Sequence, residues 1–275
     1  MTGYIAPAMT IRDRVFEWGS RTYVMGIVNI SPQSFSGDGV DSVEAAVEQA
    51  KRFEAEGADI IDVGGMSTRP NFNELTENQE RDRAVPAVRA IAAAVSLPVS
   101  IDTYRSSVAM AALRAGANMV NDITGFRRDP PMVRMVAGWR VPAVVMHNQR
   151  GRPFHDVIGD VREGFEESLA LADDAGVNRE QIILDPGFGF GWTPAQSLEM
   201  VRRLGELRDL RLPLLVGTSR KSAIGAVLDV PEDERAWGTA ATVAVAIANG
   251  ADLVRVHDVA EMAQVCKVAD AIVRG

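Results

Sequence analysis

The stretch from Asp185 to Trp192 combines a carboxylate, three glycines and two phenylalanines directly after an apolar run at residues 182–184. Such a run is typical of a buried strand, and glycine at this density lets the backbone approach a partner closely or adopt positive φ. An acid at the carboxyl end of a strand in a (β/α)8 barrel is often catalytic, because active sites lie at that face. Asp185 is therefore a candidate site residue if other strands end in polar side chains as well.

Polar side chains recur wherever a short β-branched run of this chain ends. A single Asp at such a place is usually a turn residue, because its carboxylate bonds nearby backbone groups. A set of polar residues at the same ends of parallel strands indicates one shared mouth instead. The residues concerned are Asn29, Gly64, Gly65, Ser67, Thr68, Arg69, Pro70, Asp102, Asn121, Asp122, His147, Asp185, Ser219, Arg220, Lys221, Arg255 and His257.

These strand-end residues divide by charge into two halves. Asp102, Asn121 and Asp185 offer acceptors and one amide, which suit a flat heterocycle whose edge presents N–H donors beside a carbonyl. The donors suit a phosphate or diphosphate, together with a divalent cation held by an Asn; they are Arg69, Lys221, Arg255 and His257. The alternative for the basic set is a solvated rim of weak surface ion pairs. The pattern favours a site for a heterocycle that carries a diphosphate leaving group.

Other catalytic patterns are missing from the sequence. It contains neither the phosphate-binding loop pattern Gly-x-x-x-x-Gly-Lys-Ser/Thr nor a His/Cys cluster with zinc spacing. His155 follows a polar stretch and is predicted to lie on the surface of a loop.

Short strands alternate with segments of helical spacing along most of the chain, which predicts a parallel sheet. The predicted strands are residues 23–28, 59–63, 99–101, 119–121, 143–146, 182–184, 214–216 and 253–256. Ser42 can cap a helix that runs to Glu56, and Thr76 with Gln79 has capping-box spacing before a helix at residues 80–95. Eight strand–helix units predict a (β/α)8 TIM barrel of the α/β class rather than an open doubly wound sheet. Residues 1–22 are predicted to form a hairpin-like extension across the barrel bottom.

Composition indicates a single soluble domain spanning residues 1–275. A net charge of −8 and a pI near 5.0 speak against non-specific binding to nucleic acid or an anionic membrane. The single cysteine, Cys266, is predicted to be a buried helix residue and favours a reducing compartment. The first residues lack the pattern of a signal peptide, and the longest apolar segment is interrupted by polar residues. We therefore expect a cytoplasmic protein.

At these residues the sequence resembles the dihydropteroate synthase family of folate biosynthesis. The resemblance extends in order over residues 24–270, and the blocks are specific as a set rather than singly. They are MGIVNISP (25–32), SFS (34–36), GADIIDVGG (57–65), STRP (67–70), SIDT (100–103), NDITG (121–125), MH (146–147), DPGFGFG (185–191), SRKS (219–222) and RVHDV (255–259).

The resemblance implies a transferase that joins 6-hydroxymethyl-7,8-dihydropterin diphosphate to p-aminobenzoate and releases diphosphate with Mg²⁺. It implies that the pterin is held by Asp102, Asn121, Asp185 and Lys221. It assigns the metal to Asn29, and the diphosphate to Asn29, Thr68, Arg69, Arg255 and His257. The p-aminobenzoate slot would consist of Pro70, Phe190, Lys221 and Ser222, and the catalytic set of Asp102, Asp185, Lys221 and Arg255. The family further implies a homodimer formed through helices late in the barrel, and a target of sulfonamides.

The chain departs from the family pattern mainly on two expected lid loops, residues 31–39 and 67–77, and beside the p-aminobenzoate slot. Met66 stands where the family usually has Glu, Gln33 replaces Asp, Asn71 replaces Gly and Trp192 replaces Lys, and residues 37–39 are reordered. None of these changes removes a predicted pterin or diphosphate residue. Two alternatives stay open at this point. One is a catalytically silent or acceptor-altered pterin-binding paralogue, and the other is a methyltransferase module that uses a reduced folate.

Overall fold

A computed structural model describes residues 6–30, 39–65 and 74–275 of the chain. In this part of the chain, eight parallel strands surround a central axis. The strands are β3 (Tyr23–Ile30), β5 (Ile60–Gly64), β6 (Val99–Asp102), β7 (Met119–Asp122), β8 (Ala143–Met146), β9 (Ile182–Asp185), β10 (Leu215–Val216) and β11 (Leu253–Val256). Their order around the barrel is β10-β11-β3-β5-β6-β7-β8-β9, and a bridge between Leu184 and Leu214 links the two outer strands. This nearly closed barrel confirms the predicted (β/α)8 fold.

Helices follow the strands and cover the outside of the barrel. They are α1 (Val43–Glu56), α2 (Glu77–Ala94), α3 (Ser106–Ala115), α4 (Pro131–Trp139), α5 (Val157–Ala175), α6 (Pro194–Arg203), α7 (Ser222–Leu228), α8 (Ala236–Ala248) and α9 (Val259–Val273). Short 3₁₀ turns occupy Arg179–Gln181, Leu204–Leu210 and Glu232–Glu234, and a short strand β4 (Gly39–Val40) pairs with β3.

Two predicted helix starts are confirmed by their caps. The hydroxyl of Ser42 accepts from the N–H of Ala45, and Thr76 and Gln79 form a reciprocal capping box. A cap of this kind is worth about 1 kcal/mol. The second helix begins at Glu77 rather than at residue 80, because the capping box itself forms its first turn.

A hairpin precedes the barrel, as the sequence predicts. Strands β1 (Met9–Ile11) and β2 (Arg14–Phe16) pair antiparallel, and they close the bottom of the barrel with Trp18 and Tyr23. The rings of Phe16 and Tyr23 lie 4.7 Å apart, and those of Trp18 and Tyr23 lie 5.4 Å apart. The hairpin therefore completes the apolar core from below.

The barrel has an apolar floor and a polar mouth because side chains alternate along each strand. The inner layer next to the hairpin consists of Met25, Ile60, Met119, Val144, Ile183, Leu215 and Leu253. Residues of the opposite parity, such as Val63 and Val145, pack against the helices. Cys266 is buried on α9, as predicted. No helix within the described ranges is both long enough and apolar enough to cross a membrane.

Candidate active site

The candidate site lies one layer above the apolar floor, at the carboxyl ends of the strands. Strand registers set Asp62 beside Ser100, Asp102 beside Asn121, and Met146 beside Asp185. Because Met119 and Asn121 differ by two positions, they point the same way, and the inward direction of Met119 carries over to Asn121. The same parity applies to Ile183 and Asp185. The polar layer is thus a direct continuation of the apolar one.

Arg255 connects two carboxylates across the mouth. Its Nε donates to Oδ2 of Asp62 at 2.7 Å, and its Nη2 donates to Oδ2 of Asp102 at 2.7 Å. The Arg255 side chain is only 19% exposed, and that of Asp62 is fully buried. Burial raises the pKa of Asp102 to about 7 against the opposing charge of Arg255, and the neighbouring Asp62 adds to the rise. The mouth therefore holds a carboxylate whose charge depends on its neighbours near neutral pH.

A second acid–base pair occupies the other side of the mouth. Oδ1 of Asp185 accepts the N–H of Gly187 at 2.8 Å, and Nζ of Lys221 donates to the carbonyl of Phe188 at 2.5 Å. Burial raises the pKa of Asp185 and lowers the pKa of Lys221 to about 8, while each charge opposes the shift of the other. Perturbed groups of this kind cluster at functional sites.

The glycine loop after Asp185 is held tightly against the loop that follows β8. Gly187, Gly189 and Gly191 have φ values of 76°, 79° and 86°. A Cβ at Gly187 would overlap the carbonyl oxygen of His147, and one at Gly191 would overlap the backbone of Arg150. The density of glycine seen in the sequence thus serves both positive φ and close backbone approach.

Phe190 forms a wall of the mouth between two cations. Nζ of Lys221 lies 4.6 Å from the centroid of its ring, and the guanidinium of Arg150 lies 4.8 Å from it. Both distances suit a cation–π contact. Ser222 is the first residue of α7 and is exposed beside Lys221.

Asn29 and His257 lie at the same end of the barrel. A Cβ at Gly64 would come within 3.2 Å of Oδ1 of Asn29 and 3.7 Å of the Cβ of Asp102, so the glycine keeps this corner open. Nδ1 of His257 lies 3.0 Å from Oγ of Ser219, which also accepts the backbone N–H of His257 at 3.1 Å.

Two strand-end residues do not join the mouth. Asp122 is fully buried and accepts from the backbone N–H groups of Thr124 and Phe126, so it shapes a turn. His147 is fully buried against Gly164 of α5, with Nε2 2.8 Å from Oε1 of Gln149. The expectation that the polar strand-end residues share one mouth is therefore wrong for Asp122 and His147, whose strand parity points them outward, although Asn121 at the same strand end as Asp122 points inward.

Some predicted residues cannot be compared with the structure. Thr68, Arg69 and Pro70 lie outside the described residues, and so do the departures Gln33, Met66 and Asn71. His155 is a surface residue, as predicted, with Nδ1 3.3 Å from Oδ1 of Asp160.

Trp192, which stands where the family usually has Lys, lies among the described residues. Its side chain is 8% exposed and belongs to the core between the barrel and the helices. The ring lies 5.7 Å from His147 and 6.3 Å from Phe154, measured between centroids. This position is a packing site in the layer between the barrel and the helices.

Two residues of the mouth, Asp62 and Arg150, were not predicted from the strand ends. Asp62 lies in the middle of β5, two positions after the inward-facing Ile60, so strand parity could have revealed it. Arg150 reaches Phe190 only because two loops pack together, and no local pattern marks it.

The chain is similar to known folate enzymes along most of its length. A family model described as pterin binding enzyme matches residues 25–257. A dihydropteroate synthase of Synechocystis sp. is 47% identical over 284 residues, which cover 100% of this chain and 98% of that protein. These matches do not favour the two alternatives that the sequence left open.

Solved structures agree with this similarity. A structure of the Clostridium difficile dihydropteroate synthase in the presence of pteroic acid is 43% identical, with a TM-score of 0.90 over 94% of this chain and 100% of that one. A Yersinia pestis dihydropteroate synthase complex with a sulfonamide drug is 35% identical, with a TM-score of 0.92 over 98% and 100%. The chain therefore belongs to the pterin-binding enzymes and, within that family, to the dihydropteroate synthases.

Proposed function

We propose that this chain joins 6-hydroxymethyl-7,8-dihydropterin diphosphate to p-aminobenzoate and releases diphosphate, as a transferase of folate biosynthesis. The observation that carries the proposal is the placement of two carboxylates, Asp102 and Asp185, beside two cations, Arg255 and Lys221, at one largely buried barrel mouth. Such a site can accept N–H donors on one side and bind an anionic leaving group on the other.

The acceptor half binds the pterin ring. Asp102 and Asp185 accept from the amino and ring N–H groups, while Asn121 supplies an amide that can both donate and accept. Asn121 already donates through Nδ2 to Asp62 at 3.1 Å, so its side-chain oxygen is directed by that bond. Lys221 donates to the pterin from the rim of the same pocket.

The diphosphate is held by Arg255 and His257, together with Asn29, Thr68 and Arg69. The residues near Asn29 fit a Mg²⁺ ion that arrives with the diphosphate rather than a resident one. Within the described ranges no group of three or more His, Cys, Asp or Glu side chains could hold a metal. Mg²⁺ commonly takes few protein ligands beside substrate phosphates and water, so one Asn oxygen suffices. When bound, the ion neutralises negative charge that develops on the leaving group.

The protein side chains favour departure of the diphosphate before the new bond forms. Positive charge grows on the pterin methylene and ring as the diphosphate leaves, and Asp102 and Asp185 are near enough to the pterin pocket to stabilise it. Negative charge grows on the leaving group, where Arg255 and His257 donate. Loss of one such preorganised donor typically costs about 3–4 kcal/mol of transition-state stabilisation. The aniline nitrogen of p-aminobenzoate then attacks the methylene.

The proposed p-aminobenzoate slot comprises Pro70, Phe190, Lys221 and Ser222. The Phe190 ring offers an apolar wall, and Ser222 supplies a hydroxyl and a backbone N–H for the carboxylate. Sulfonamides resemble p-aminobenzoate in shape and occupy the same slot in this proposal. The core position of Trp192 supports an unaltered slot.

A coupling assay tests the proposed function. Purified protein is incubated with the dihydropterin diphosphate, Mg²⁺ and p-aminobenzoate, and dihydropteroate is detected by mass spectrometry, with and without a sulfonamide. We expect product with the wild type and loss of at least about a hundredfold in Asn29→Ala and Asp185→Asn. Tight pterin binding without any product would refute the synthase assignment.

We place a homodimer interface on the outer face of the last helices. Apolar residues exposed there include Val227, Trp237, Val245, Val268 and Ile272, and Trp237 is 86% exposed. Exposed apolar patches of this kind mark interaction surfaces. Trp237→Glu should shift the protein from dimer to monomer in analytical ultracentrifugation, while Leu171→Glu on α5 should not. A wild type that sediments as a monomer would contradict the dimer.

We propose that residues 1–275 form one catalytic domain and that the protein works in the cytoplasm. Support for one domain comes from the hairpin, whose Phe16 and Trp18 share a core cluster with the barrel floor. Support for a reducing compartment comes from Cys266, which is buried on α9 and is the only cysteine.

A further inference from the structure

Asp62 is a buried carboxylate that the proposed chemistry does not use. Its Oδ2 accepts from Nε of Arg255 at 2.7 Å and from Nδ2 of Asn121 at 3.1 Å. Its Oδ1 is buried and has no hydrogen-bond partner among the described residues, and the same holds for Oγ of Ser100, its register partner on β6. Two inward-facing polar groups are thus buried directly beneath the mouth.

Stability does not explain an acid at this position. A buried ion pair is often no more stabilising than apolar residues of similar volume, and an unpaired acceptor oxygen adds a further cost. The floor of the same barrel is built from apolar residues such as Ile60, two positions earlier on β5. A carboxylate here is therefore better explained by what it does to Arg255 and Asn121.

We propose that Asp62 is a positioning residue that holds Arg255 by Nε, so that Nη2 can exchange Asp102 for the diphosphate of the substrate. This inference rests on the proposed role of Arg255 in binding diphosphate. The guanidinium is a rigid planar fork, so a bond at Nε fixes the plane in which both Nη groups lie. Nη2 is paired with Asp102, the carboxylate that the pterin needs.

The same oxygen of Asp62 also links the two halves of the substrate site. It accepts from Asn121 on the pterin side and from Arg255 on the diphosphate side. Its charge acts on Asp102 as well, because a neighbouring negative charge disfavours ionisation and contributes to the raised pKa of Asp102. Removing the charge should therefore lower the pKa of Asp102 and leave Arg255 paired with Asp102 alone.

Two substitutions separate the charge of Asp62 from its position. Asp62→Asn removes the charge and keeps the shape, while Asp62→Glu keeps the charge and moves the carboxylate by one methylene. Ionised Asp102 accepts from the pterin, so pterin binding should weaken as the pH falls through the pKa of Asp102. We expect this acid limb to move on the order of one pH unit lower in Asp62→Asn and to stay in place in Asp62→Glu.

Both a binding and a turnover measurement are made on the full chain. Binding of 6-hydroxymethylpterin is monitored through the fluorescence of the pterin between pH 5 and 9. This titration gives the acid limb of pterin binding without turnover. In turnover, kcat/KM for the dihydropterin diphosphate should fall about ten- to hundredfold in both variants, because Arg255 is misplaced. The KM for p-aminobenzoate should stay within about twofold, because among the described residues Asp62 bonds Arg255 and Asn121 and not Phe190, Lys221 or Ser222.

Asp252→Asn is the matched control, since Asp252 is also a buried carboxylate but lies at the barrel bottom, where it accepts the N–H of Leu214. It should lower the melting temperature without moving the acid limb. Asp62→Ser replaces Asp62→Asn if the latter does not fold.

The role of Asp62 would be overturned if the acid limb of pterin binding stayed at the same pH in Asp62→Asn. It would also be overturned if kcat/KM for the dihydropterin diphosphate stayed within about twofold of the wild type. A wild type that binds pterin but makes no dihydropteroate would instead refute the proposed function. The pH dependence of pterin binding in Asp62→Asn would still test the role of Asp62.

Discussion

Gly187→Ala tests whether the glycine loop fixes Asp185. Gly187 has a φ of 76°, and its N–H donates to the carboxylate of Asp185 at 2.8 Å. A Cβ there would overlap the carbonyl oxygen of His147, whose own N–H donates to the backbone carbonyl of Asp185 at 2.8 Å. An added methyl group must therefore push the loop away from the strand that carries Asp185.

The cost can be separated into a backbone part and an overlap part. An L-residue in the left-handed region costs about 1–2 kcal/mol, and the lower entropy of the unfolded chain returns about 0.4–1 kcal/mol. Overpacking against a fixed backbone adds about 1–3 kcal/mol. Gly176, at the end of α5, also has a φ of 76° and has nothing within 4 Å of an added Cβ. Gly176→Ala therefore carries only the backbone part.

Urea unfolding of both variants measures the difference. We expect Gly187→Ala to lose about 1–3 kcal/mol more of its free energy of unfolding than Gly176→Ala. The kcat/KM for the dihydropterin diphosphate, normalised to folded protein, should fall at least about tenfold in Gly187→Ala and stay unchanged in Gly176→Ala. Equal losses of stability, with unchanged kcat/KM in both, would refute the claim that contact with His147 positions Asp185.

Three further predictions concern groups whose environment is unusual. Burial lowers the pKa of Lys221 to about 8, so activity should decline as the pH rises through that value, and Lys221→Arg should abolish this basic limb in the pH profile of kcat/KM. Burial lowers the pKa of His147 to about 4, so the unfolded chain takes up the proton first as the pH falls. The free energy of unfolding of the wild type should then fall by about 1.4 kcal/mol per pH unit between about pH 6.5 and 4. Urea unfolding should show that this fall is absent in His147→Gln and retained in His155→Gln, in which an exposed histidine is replaced. Trp192→Lys would remove the indole packed against His147 and should lower stability by about 3 kcal/mol in thermal unfolding, whereas a neutral effect would contradict the core position of Trp192.

Local features of the fold followed from the sequence because they depend on neighbouring residues. Ser42 and Thr76 cap helices as expected, since a cap requires only the residue itself and the next three. The strand positions followed from short apolar runs between turn residues. Their ends differ by one or two positions from the prediction, for example at Gly64 and Asp102, because pairing with neighbouring strands extends them.

The position of a strand end does not by itself predict which way its side chain points. That direction also requires the alternation of side chains along the strand. His147 follows Met146, which points inward, so alternation sends His147 outward into the helix layer. Asp62 would have emerged from the same parity, two positions after Ile60. In contrast, the bonds from Arg255 to Asp62 and Asp102 join residues 193 and 153 positions apart. They depend on how the barrel closes, and no local pattern contains that information.

Under the proposed function, the hydrogen bonds within the mouth make binding of the pterin half and binding of the diphosphate half depend on each other. Arg255 is bonded to Asp102, and Lys221 to a backbone carbonyl, so substrate binding exchanges existing bonds rather than filling open positions. A pterin ring that takes Asp102 releases one arm of a buried arginine, and a buried cation that loses a partner is costly. The diphosphate supplies the replacement anion on the same molecule. A substrate with both halves therefore leaves Asp102 and Arg255 each with a partner, whereas a pterin without its diphosphate leaves Arg255 with Asp62 as its remaining carboxylate.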